Sequence, residues 1–488
     1  MYPLRSFIIH ICSLLLFFNP IAVFSQTYQT LIGSRFAGSI NMYQNPASTI
    51  VSKDTIDFSL ASLHINNYTN FIKLGYAPLL RKKPTATFDF TAGDFARDLM
   101  TQLNLSLLGV KYKISPKTAL GFGVNLRSMI NVHTSHYNLT DSASDIISFL
   151  EQNSGSLPFK GNAASSNLLE YTGNFSHQLI DNRKMMLNAG INLRLNRGIL
   201  GLVGRIDSLE FQKTNLFGND LYTITNADFV YGYSTTATAW DNTTAFRENL
   251  RNVMRETKWG ASFDVGAEWL IKNERESDWF YEGLDYNYTW KIGFSMLDLG
   301  FARYSYYPES AKTNGIRDAM TPEILLDKFV GVTDNIGSFN DTVSTVVESF
   351  TKLNGNFKIY HPSRLHLNID RRLTSSWYLN VSGSLPFSVV SRENNYSVND
   401  MAVFSITSRY ERERFGLYMP LVYNTKTKFH IGAALRAGPM IIGLNNLNIF
   451  NNNASLQNTS GYVSFLFRIR PREKKPRFDF IKSPQSVL

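Results

Sequence analysis

Apolar and polar residues alternate with a period of two over most of the chain beyond residue 25. Between Leu187 and Asn196, for example, apolar side chains occupy the odd positions, and Asn, Gly or Arg occupies the even ones. This period indicates β-strands with two differently solvated faces. The runs are about 9–13 residues long, which matches a tilted membrane-spanning strand of about 9–11 residues better than a soluble strand of roughly 5–6. Further runs are Trp259–Ile271, 364–370, 376–385 and 429–436.

The connections between these runs alternate between short turns and longer polar segments. This order is typical of an up-and-down barrel with short periplasmic turns and long external loops. A β-sandwich more often mixes connection lengths, and a β-propeller would show a blade-sized repeat that we do not find. We therefore predict an all-β fold, a transmembrane antiparallel up-and-down β-barrel. The short turns are 115–117, 181–183, 374–375, 411–413 and 438–439, and the longer segments lie near 132–167, 197–257, 299–356 and 388–399.

Four segments within the longer connections predict short helices. One begins at Thr321-Pro322-Glu323, which has an N-cap residue followed by proline at the first helical position. We expect these helices to pack against the outer rim, with a lid over a binding site as the alternative. The segments are Ser142–Gln152, Ala245–Arg255, Ala319–Phe329 and Asp341–Leu353.

Residues 1–25 have the features of a cleavable secretory signal peptide. Arg5 supplies the basic region, Phe7–Phe18 the apolar region and Val23–Ser25 the small residues of a cleavage site. A transmembrane anchor is the alternative, but the run is too short and Asn19-Pro20 interrupts it. We expect an exported protein located in the cell outer membrane.

Composition removes several other classes of protein. Hydrophobic residues make up 43% of the 488 positions, enough for a large core, so general disorder is excluded. No run of about 18 apolar residues follows the first 25, which argues against a helical membrane protein. Cys12 is the sole cysteine, which argues against a disulfide scaffold. A net charge of +10 does not suggest nucleic acid as a partner, because the chain is exported.

Aromatic residues, which are 13% of the chain, cluster where strands should meet the membrane surface. A soluble barrel would turn its apolar face inward and would lack such clusters. Strands that face lipid must close into a barrel, because an open edge would leave backbone groups unpaired in hydrocarbon. The clusters are Trp279–Tyr281, Tyr286 with Tyr288 and Trp290, and Tyr304–Tyr307.

Several short motifs resemble the FadL-type outer-membrane transporters, including PorV-like and uncharacterised barrels of Bacteroidota. The first is Asn45-Pro46-Ala47 within Gln44–Ser48, just before the first strand. The resemblance implies a barrel of about fourteen strands whose N-terminal segment folds inward as a hatch, whereas our own count of candidate strands runs towards sixteen. The other motifs are Ser34–Gly38, Trp259-Gly260 with Asp264–Ala267, Gly293–Gly300, and Arg409–Glu411 with Gly416–Leu421.

We divide the chain after the leader into three parts. Residues 26–48 are the expected hatch, 49–469 the barrel and 470–488 a basic periplasmic tail. Pro46 fixes its own φ and biases Asn45 towards extended geometry, which suits a rigid turn where the hatch meets the wall. An ordinary turn into the first strand is the alternative. The tail is either a solvated charge run or a docking segment for an acidic periplasmic partner.

Motifs for catalysis, metal binding or a cofactor are absent from the sequence. His133 and His136 are the only close histidine pair, and they lack a thiol or an obvious third ligand. We therefore predict no enzyme, no metal and no cofactor. Charged side chains on the polar strand faces should point into the lumen, either as a salt-bridge network that stiffens the barrel or as a path for polar solutes. They are Arg127, Arg194, Asp264, Glu268, Arg364, His366, Asp370 and Arg436.

Two functions are favoured, and an enzyme with a site assembled across strands is the third alternative. The resemblance implies transport of small hydrophobic or amphipathic compounds, with outer-membrane lipid and lipopolysaccharide as the surroundings of the barrel. The alternative is a non-transporting scaffold for envelope assembly or secretion, whose partner is a periplasmic or secretion-system protein. A lumen with apolar patches beneath a hatch favours transport, and a lumen filled by paired charges favours the scaffold.

Overall fold

Long antiparallel strands dominate the computed structural model. It describes residues 29–51, 54–75, 87–140, 146–155, 157–216, 219–241, 243–272, 288–318, 320–330, 332, 336–387, 395–426, 428–450 and 457–469. The expected leader, the basic tail and the aromatic positions Trp279–Tyr281 and Tyr286 lie outside these residues.

The strands are β1 (Ile56–Thr69), β2 (Ile72–Gly75), β3 (Thr87–Phe90), β4 (Gly93–Ser115), β5 (Thr118–Leu139), β6 (Phe159–Asp181), β7 (Met185–Leu216), β8 (Asn219–Tyr233), β9 (Lys258–Lys272), β10 (Tyr288–Ser305), β11 (Ala311–Asn314), β12 (Ser349–Lys352), β13 (Asn356–Tyr360), β14 (Arg364–Arg372), β15 (Trp377–Pro386), β16 (Asn395–Ser397), β17 (Val403–Glu411), β18 (Phe415–Asn424), β19 (Lys428–Ile431), β20 (Ala433–Ala437), β21 (Met440–Leu444) and β22 (Asn458–Ile469).

The sheet closes on itself, because β1 pairs antiparallel with both β4 and the last strand, β22. Fourteen strands form the ring, with β13 and β14 as two parts of one wall strand and β19 and β20 as two parts of another. The predicted antiparallel barrel and the implied number of fourteen strands are therefore confirmed, and the count towards sixteen is wrong. A short parallel pairing of β16 with β13 is an exception to the antiparallel order.

The alternation of the sequence separates an outward apolar face from an inward face that is largely polar. In β18, Leu417, Met419 and Leu421 are exposed, whereas Tyr418 and Val422 between or beyond them are buried. The same order holds in β15, β17 and β9. Large apolar side chains thus form a belt around the outside of the barrel, which is the arrangement expected of a wall surrounded by lipid.

Strands β4 to β7 are much longer than predicted, with 22 to 32 residues each. The lower part of β7 pairs with β9, and its upper part pairs with β8 instead. Consequently, much of the expected polar loop sequence at 132–167 and 197–257 is strand. These strands carry the sheet beyond the belt, at the end opposite the short turns, and we call this part the extension.

Short helices pack on the extension. They are α1 (Ile146–Asn153), α2 (Phe246–Glu256), α3 (Pro322–Phe329) and α4 (Ile336–Val346). As predicted, Thr321 caps α3, with Pro322 at its start. The helix predicted over Asp341–Leu353 is wrong in its second half, because α4 ends at Val346 and Ser349–Lys352 is paired with β11. No helix in the described ranges is long and apolar enough to span a bilayer.

Candidate functional site

The N-terminal residues 29–51, which we call the hatch, lie inside the short-turn end of the barrel. They form three short 3-10 turns, Gln29–Leu31, Gly38–Tyr43 and Pro46–Val51. Most of the side chains are fully buried, including the polar ones of Ser34 and Ser39. The buried segment continues past the expected end at Ser48, and the first wall strand begins only at Ile56. Burial also raises the pKa of the Tyr43 hydroxyl above its usual range, so this hydroxyl stays protonated.

Asn45-Pro46-Ala47 forms a rigid contact with the middle of the wall. Asn45 Nδ2 donates to the Ala267 carbonyl at 3.0 Å, and its Oδ1 accepts from the Ala47 backbone N–H at 3.0 Å. Asn174 Nδ2 on β6 donates to the Pro46 carbonyl at 3.1 Å. The motif therefore satisfies its own turn and bonds to two separate strands. This position differs from the expected junction with the first strand.

Glycines make room for the hatch along the facing wall, and we call Gly109, Gly123, Gly190 and Gly266 the glycine seat. A Cβ atom at Gly190 would lie 2.4 Å from the Pro46 carbonyl carbon and oxygen. At Gly266 it would lie 2.2 Å from Asn45 Oδ1, at Gly123 1.9 Å from the Tyr43 hydroxyl, and at Gly109 2.5 Å from Ser59 Oγ and 3.4 Å from Ser39 Oγ. At Gly190 the contacted atoms are backbone, so a side chain there would require the hatch or the wall to shift. At Gly266 and Gly123 the contacted atoms are the ends of hatch side chains, and at Gly109 the shortest contact is with Ser59 of the wall.

Polar wall side chains bind the backbone carbonyls of the hatch. Three cations donate to consecutive parts of it, and the Arg436 guanidinium lies 3.9 Å from the centre of the Phe36 ring. Because the hatch lacks the ladder bonds of a strand, these contacts supply partners that its buried carbonyls need. The donor pairs are Arg409 to Ile32 (3.0 Å), Lys291 to Gly33 (2.6 Å), Arg468 to Phe36 (2.6 Å), Asn192 to Met42 (2.7 Å) and Ser295 to Gln44 (2.9 Å).

Charged side chains form a connected group above the hatch, and we call it the ion network. It contains Arg127, Arg194, Arg364, Glu170, Asp264 and Asp298. Asp298 is at its centre, 2.7 Å from Arg127, 2.5 Å from Arg194 and 3.5 Å from Arg364. Arg127 also contacts Glu170 at 2.9 Å, and Arg194 contacts Asp264. Three cations and three carboxylates compensate one another, as buried charges must.

The other four predicted lumen charges also lie on the inward side, but apart from this network. Glu268 accepts a hydrogen bond from Ser48 of the hatch at 2.8 Å. Asp370 pairs with Arg409 at 2.6 Å, and Arg436 packs on the hatch. His366 is buried opposite Ser295 in the strand register.

Sequence reasoning missed Glu170, Asp298, Lys291 and Arg409. Glu170 and Arg409 each stand in a regular alternation of polar inward residues, so the same periodicity could have identified them. Asp298 could not be found in this way, because a register shift between Met296 and Leu299 breaks the alternation. It has φ +60°, an uncommon backbone conformation for a residue other than glycine.

The lumen becomes apolar beyond the ion network. Tyr306 stacks on Phe357 with ring centres 4.4 Å apart, and Tyr304 stacks on the same ring at 5.4 Å. We call this set, with the buried apolar residues packed around it, the aromatic cluster. The surrounding residues include Met129, Leu168, Val203, Ala302, Ile359, Tyr396 and Val398.

Two cavities open near the extension. The first, which we call the vestibule, has a volume of ≈ 330 Å³ and includes Asp98, Asn131 and Asp400 among its lining residues. The second is an apolar outer groove of ≈ 360 Å³, lined by residues such as Ile206 and Phe229. No group of three potential metal ligands occurs among the described residues, and His133 is paired with Asp98 at 2.8 Å.

Comparison with known proteins gives coarse structural likenesses. No curated protein matches the sequence. A FadL homologue from Pseudomonas aeruginosa is 10% identical over 91% of this chain and 97% of that chain, with a TM-score of 0.38. The toluene transporter TodX of P. putida is 11% identical over 89% and 95%, with a TM-score of 0.37. The translocator domain of the autotransporter NalP from Neisseria meningitidis is 8% identical over 91% and 96%, with a TM-score of 0.32.

Most of the barrel wall and the ion network fall within one matched region. The model of a family of unknown function, DUF5723, matches residues 46–445. This region begins at Pro46 of the hatch and extends over most of the barrel wall. The protein therefore belongs to the DUF5723 family.

Proposed function

We propose that this protein is an integral outer-membrane β-barrel that transports small hydrophobic or amphipathic compounds. The outward apolar belt, the closed sheet and the signal-like leader support the location. We assign no catalytic residue. The barrel is surrounded by outer-membrane lipid and lipopolysaccharide, and the hatch holds its periplasmic end closed between transport events.

The aromatic cluster is the observation that carries the transport proposal. The interior of a water-filled membrane barrel is usually polar. Here Leu168, Val203 and Phe357 are buried on the inward side of the wall, so one section of the lumen is packed with apolar side chains. Transfer of an apolar solute from water into such a section is favourable, whereas transfer of an ion costs the free energy of its hydration.

Uptake of radiolabelled toluene tests this proposal in cells whose outer membrane does or does not contain the protein. We expect faster uptake with the protein, and slower uptake again in Val203→Ser, which places a hydroxyl in the apolar section. Leu202→Ser is the matched control, because Leu202 is the neighbouring residue on the exposed face. Equal uptake with and without the protein would refute transport.

A second candidate, the non-transporting scaffold, is favoured by the filled lumen. The hatch is seated against glycines and the charges above it are paired, as in a permanent plug. In-cell crosslinking from the basic tail should then capture a defined periplasmic or secretion-system protein, and deletion of residues 26–44 should leave toluene uptake unchanged. Increased uptake and planar-bilayer conductance after this deletion, with heat-modifiable gel mobility retained, would favour the transporter.

A further inference from the structure

Helix α2 lies on the outside of the wall, directly next to the apolar belt. It ends at Glu256, and strand β9 begins two residues later with Trp259 as its first outward side chain. Arg197 on β7 is opposite Trp259 in the register, so it also faces outward. Its guanidinium donates to the Met254 carbonyl and, at 2.6 Å, to the Thr257 hydroxyl. These bonds fix the C-terminal end of the helix beside the Trp259 ring.

Trp259 marks the edge of the belt at the extension end. Ten residues separate it from Trp269, which faces outward on the same strand. At the tilt of barrel strands this length spans about 25 Å, which is the height of the apolar band of a membrane barrel. Aromatic side chains mark both edges of such a band. Helix α2 therefore lies at the depth of the lipid headgroups on the extension side.

An exposed apolar edge runs along α2 beside its buried face. Asn249 and Val253 face the protein and are buried. Phe246 and Leu250 lie on the adjacent side and are 70% and 47% exposed. Trp240 packs edge-on against Phe246, with ring centres 5.9 Å apart, and is exposed as well. This edge extends the belt beyond the end of β9, as the apolar side of an interfacial helix does.

Three exposed arginines form a stripe next to this apolar edge. Arg247, Arg251 and Arg255 recur at every fourth residue, so their Cα atoms are about 6 Å apart along the helix axis. Among the described residues, Arg247 and Arg251 have no ion-pair partner, and Arg255 has only Glu256 at 3.7 Å. Glu248 and Glu256 lie beyond the stripe, away from the apolar edge. The order around the helix is therefore apolar, basic and then acidic.

Hydrogen bonds hold the apolar edge in place without any ligand. Asn249 Oδ1 accepts from the Asp241 backbone N–H at 2.8 Å, and its Nδ2 donates to the carbonyls of Asp241 at 2.6 Å and Thr244 at 3.0 Å. The turn that carries Trp240 is thus tied to the helix that carries Phe246. A surface that is already ordered loses less conformational entropy on binding.

We propose that α2 is an interfacial helix whose arginine stripe binds the phosphate groups of outer-leaflet lipopolysaccharide. The apolar edge enters the acyl region, the arginines lie at the level of the phosphates, and the carboxylates face water. A guanidinium group keeps its charge and can donate two parallel hydrogen bonds to a phosphate. A free phosphate ion would have no use for the apolar edge. The proposal rests on the outer-membrane location proposed above, and it is independent of transport.

Binding of lipid A, the phosphorylated anchor of lipopolysaccharide, tests the proposal. Native mass spectrometry measures its affinity for the full-length protein in detergent, with lipid A stripped of its phosphates as the comparison. We expect lipid A to bind more than tenfold more tightly. Equal affinities in a protein with heat-modifiable gel mobility overturn this proposal alone. Recovery of the protein from the soluble periplasmic fraction overturns the outer-membrane location, and this proposal with it.

A triple variant connects the binding to the stripe. Arg247→Gln, Arg251→Gln and Arg255→Gln together should weaken lipid A binding by about fivefold for each arginine, without changing the affinity for the dephosphorylated lipid. The matched control makes the same change at three exposed arginines of the short-turn end and should bind as the parent does. Equal effects of the two triple variants overturn the assignment to α2. The control substitutions are Arg183→Gln, Arg371→Gln and Arg412→Gln.

Phe246→Ser distinguishes a lipid site from a site for free phosphate. It removes an apolar anchor and leaves all three arginines in place, so it should weaken the binding of both lipids by about tenfold. Unchanged lipid A affinity in this variant, with heat-modifiable mobility retained, would mean that only the phosphate is recognised. That result overturns the interfacial assignment.

Discussion

The substitution Gly190→Ala tests whether the shape of the wall seats the hatch. The added Cβ would lie 2.4 Å from the Pro46 carbonyl group and 2.5 Å from the Ala47 nitrogen. These are backbone atoms, so no side-chain rotation can relieve the contact, and the hatch or strand β7 must shift. Overpacking of this kind costs about 1–3 kcal/mol, which corresponds to an increase of about 5- to 150-fold in the population of undocked hatch.

A single cysteine in the hatch measures this population. Ser39 is fully buried, and the chain has no cysteine apart from Cys12, so Ser39→Cys in a Cys12→Ser background provides one unambiguous thiol. We expect a membrane-impermeant maleimide to label it faster when Gly190→Ala is added. Gly173→Ala is the matched control, because its Cβ would meet nothing closer than 3.9 Å. Equal labelling rates in the two folded glycine variants would refute the seat.

Three further predictions concern the ion network, the aromatic cluster and the lipid-facing belt. Asp298→Asn leaves an uncompensated buried cation, so we expect the free energy of unfolding in guanidinium titrations to fall by about 3–5 kcal/mol, whereas Asp207→Asn, which breaks a surface pair, should change it little. Phe357→Ala should lower the same free energy by about 3–5 kcal/mol through loss of packing, and Phe404→Ala on the exposed face should cost less. Val381→Arg on the exposed face should cost about 2–4 kcal/mol when the barrel refolds into lipid vesicles, and a much smaller cost would argue against a lipid-facing position.

The barrel was predictable because its cause is local. A strand with lipid on one side alternates in hydropathy whatever its neighbours are, so β9 and β15 could be identified from sequence alone. The same reasoning fails in the extension, where lipid no longer imposes a regular alternation and helices cover parts of the sheet. Strands β5 to β8 therefore continue through sequence that resembles polar loops.

The candidate site was predictable only in part, because its geometry depends on contacts between distant segments. Arg127 and Arg194 could be placed in the lumen by their strand parity. Asp298, which joins them, could not, because a bulge moves it out of phase. Gly190 was placed on the polar face of its strand, but nothing in the local sequence indicates that Pro46 lies against it.

The lumen is closed at levels that differ in their physical cause. At the short-turn end, the hatch is held by shape and by donors to its carbonyls, whereas the next level is a network of paired charges. Removal of the hatch therefore does not remove the paired charges or the aromatic cluster above it. Conductance measures all of these levels in series, and a conductance that stays low after hatch deletion cannot distinguish a seated plug from an irrelevant one. Thiol labelling at Ser39→Cys responds to the hatch alone, so it is the measurement that tests the glycine seat directly.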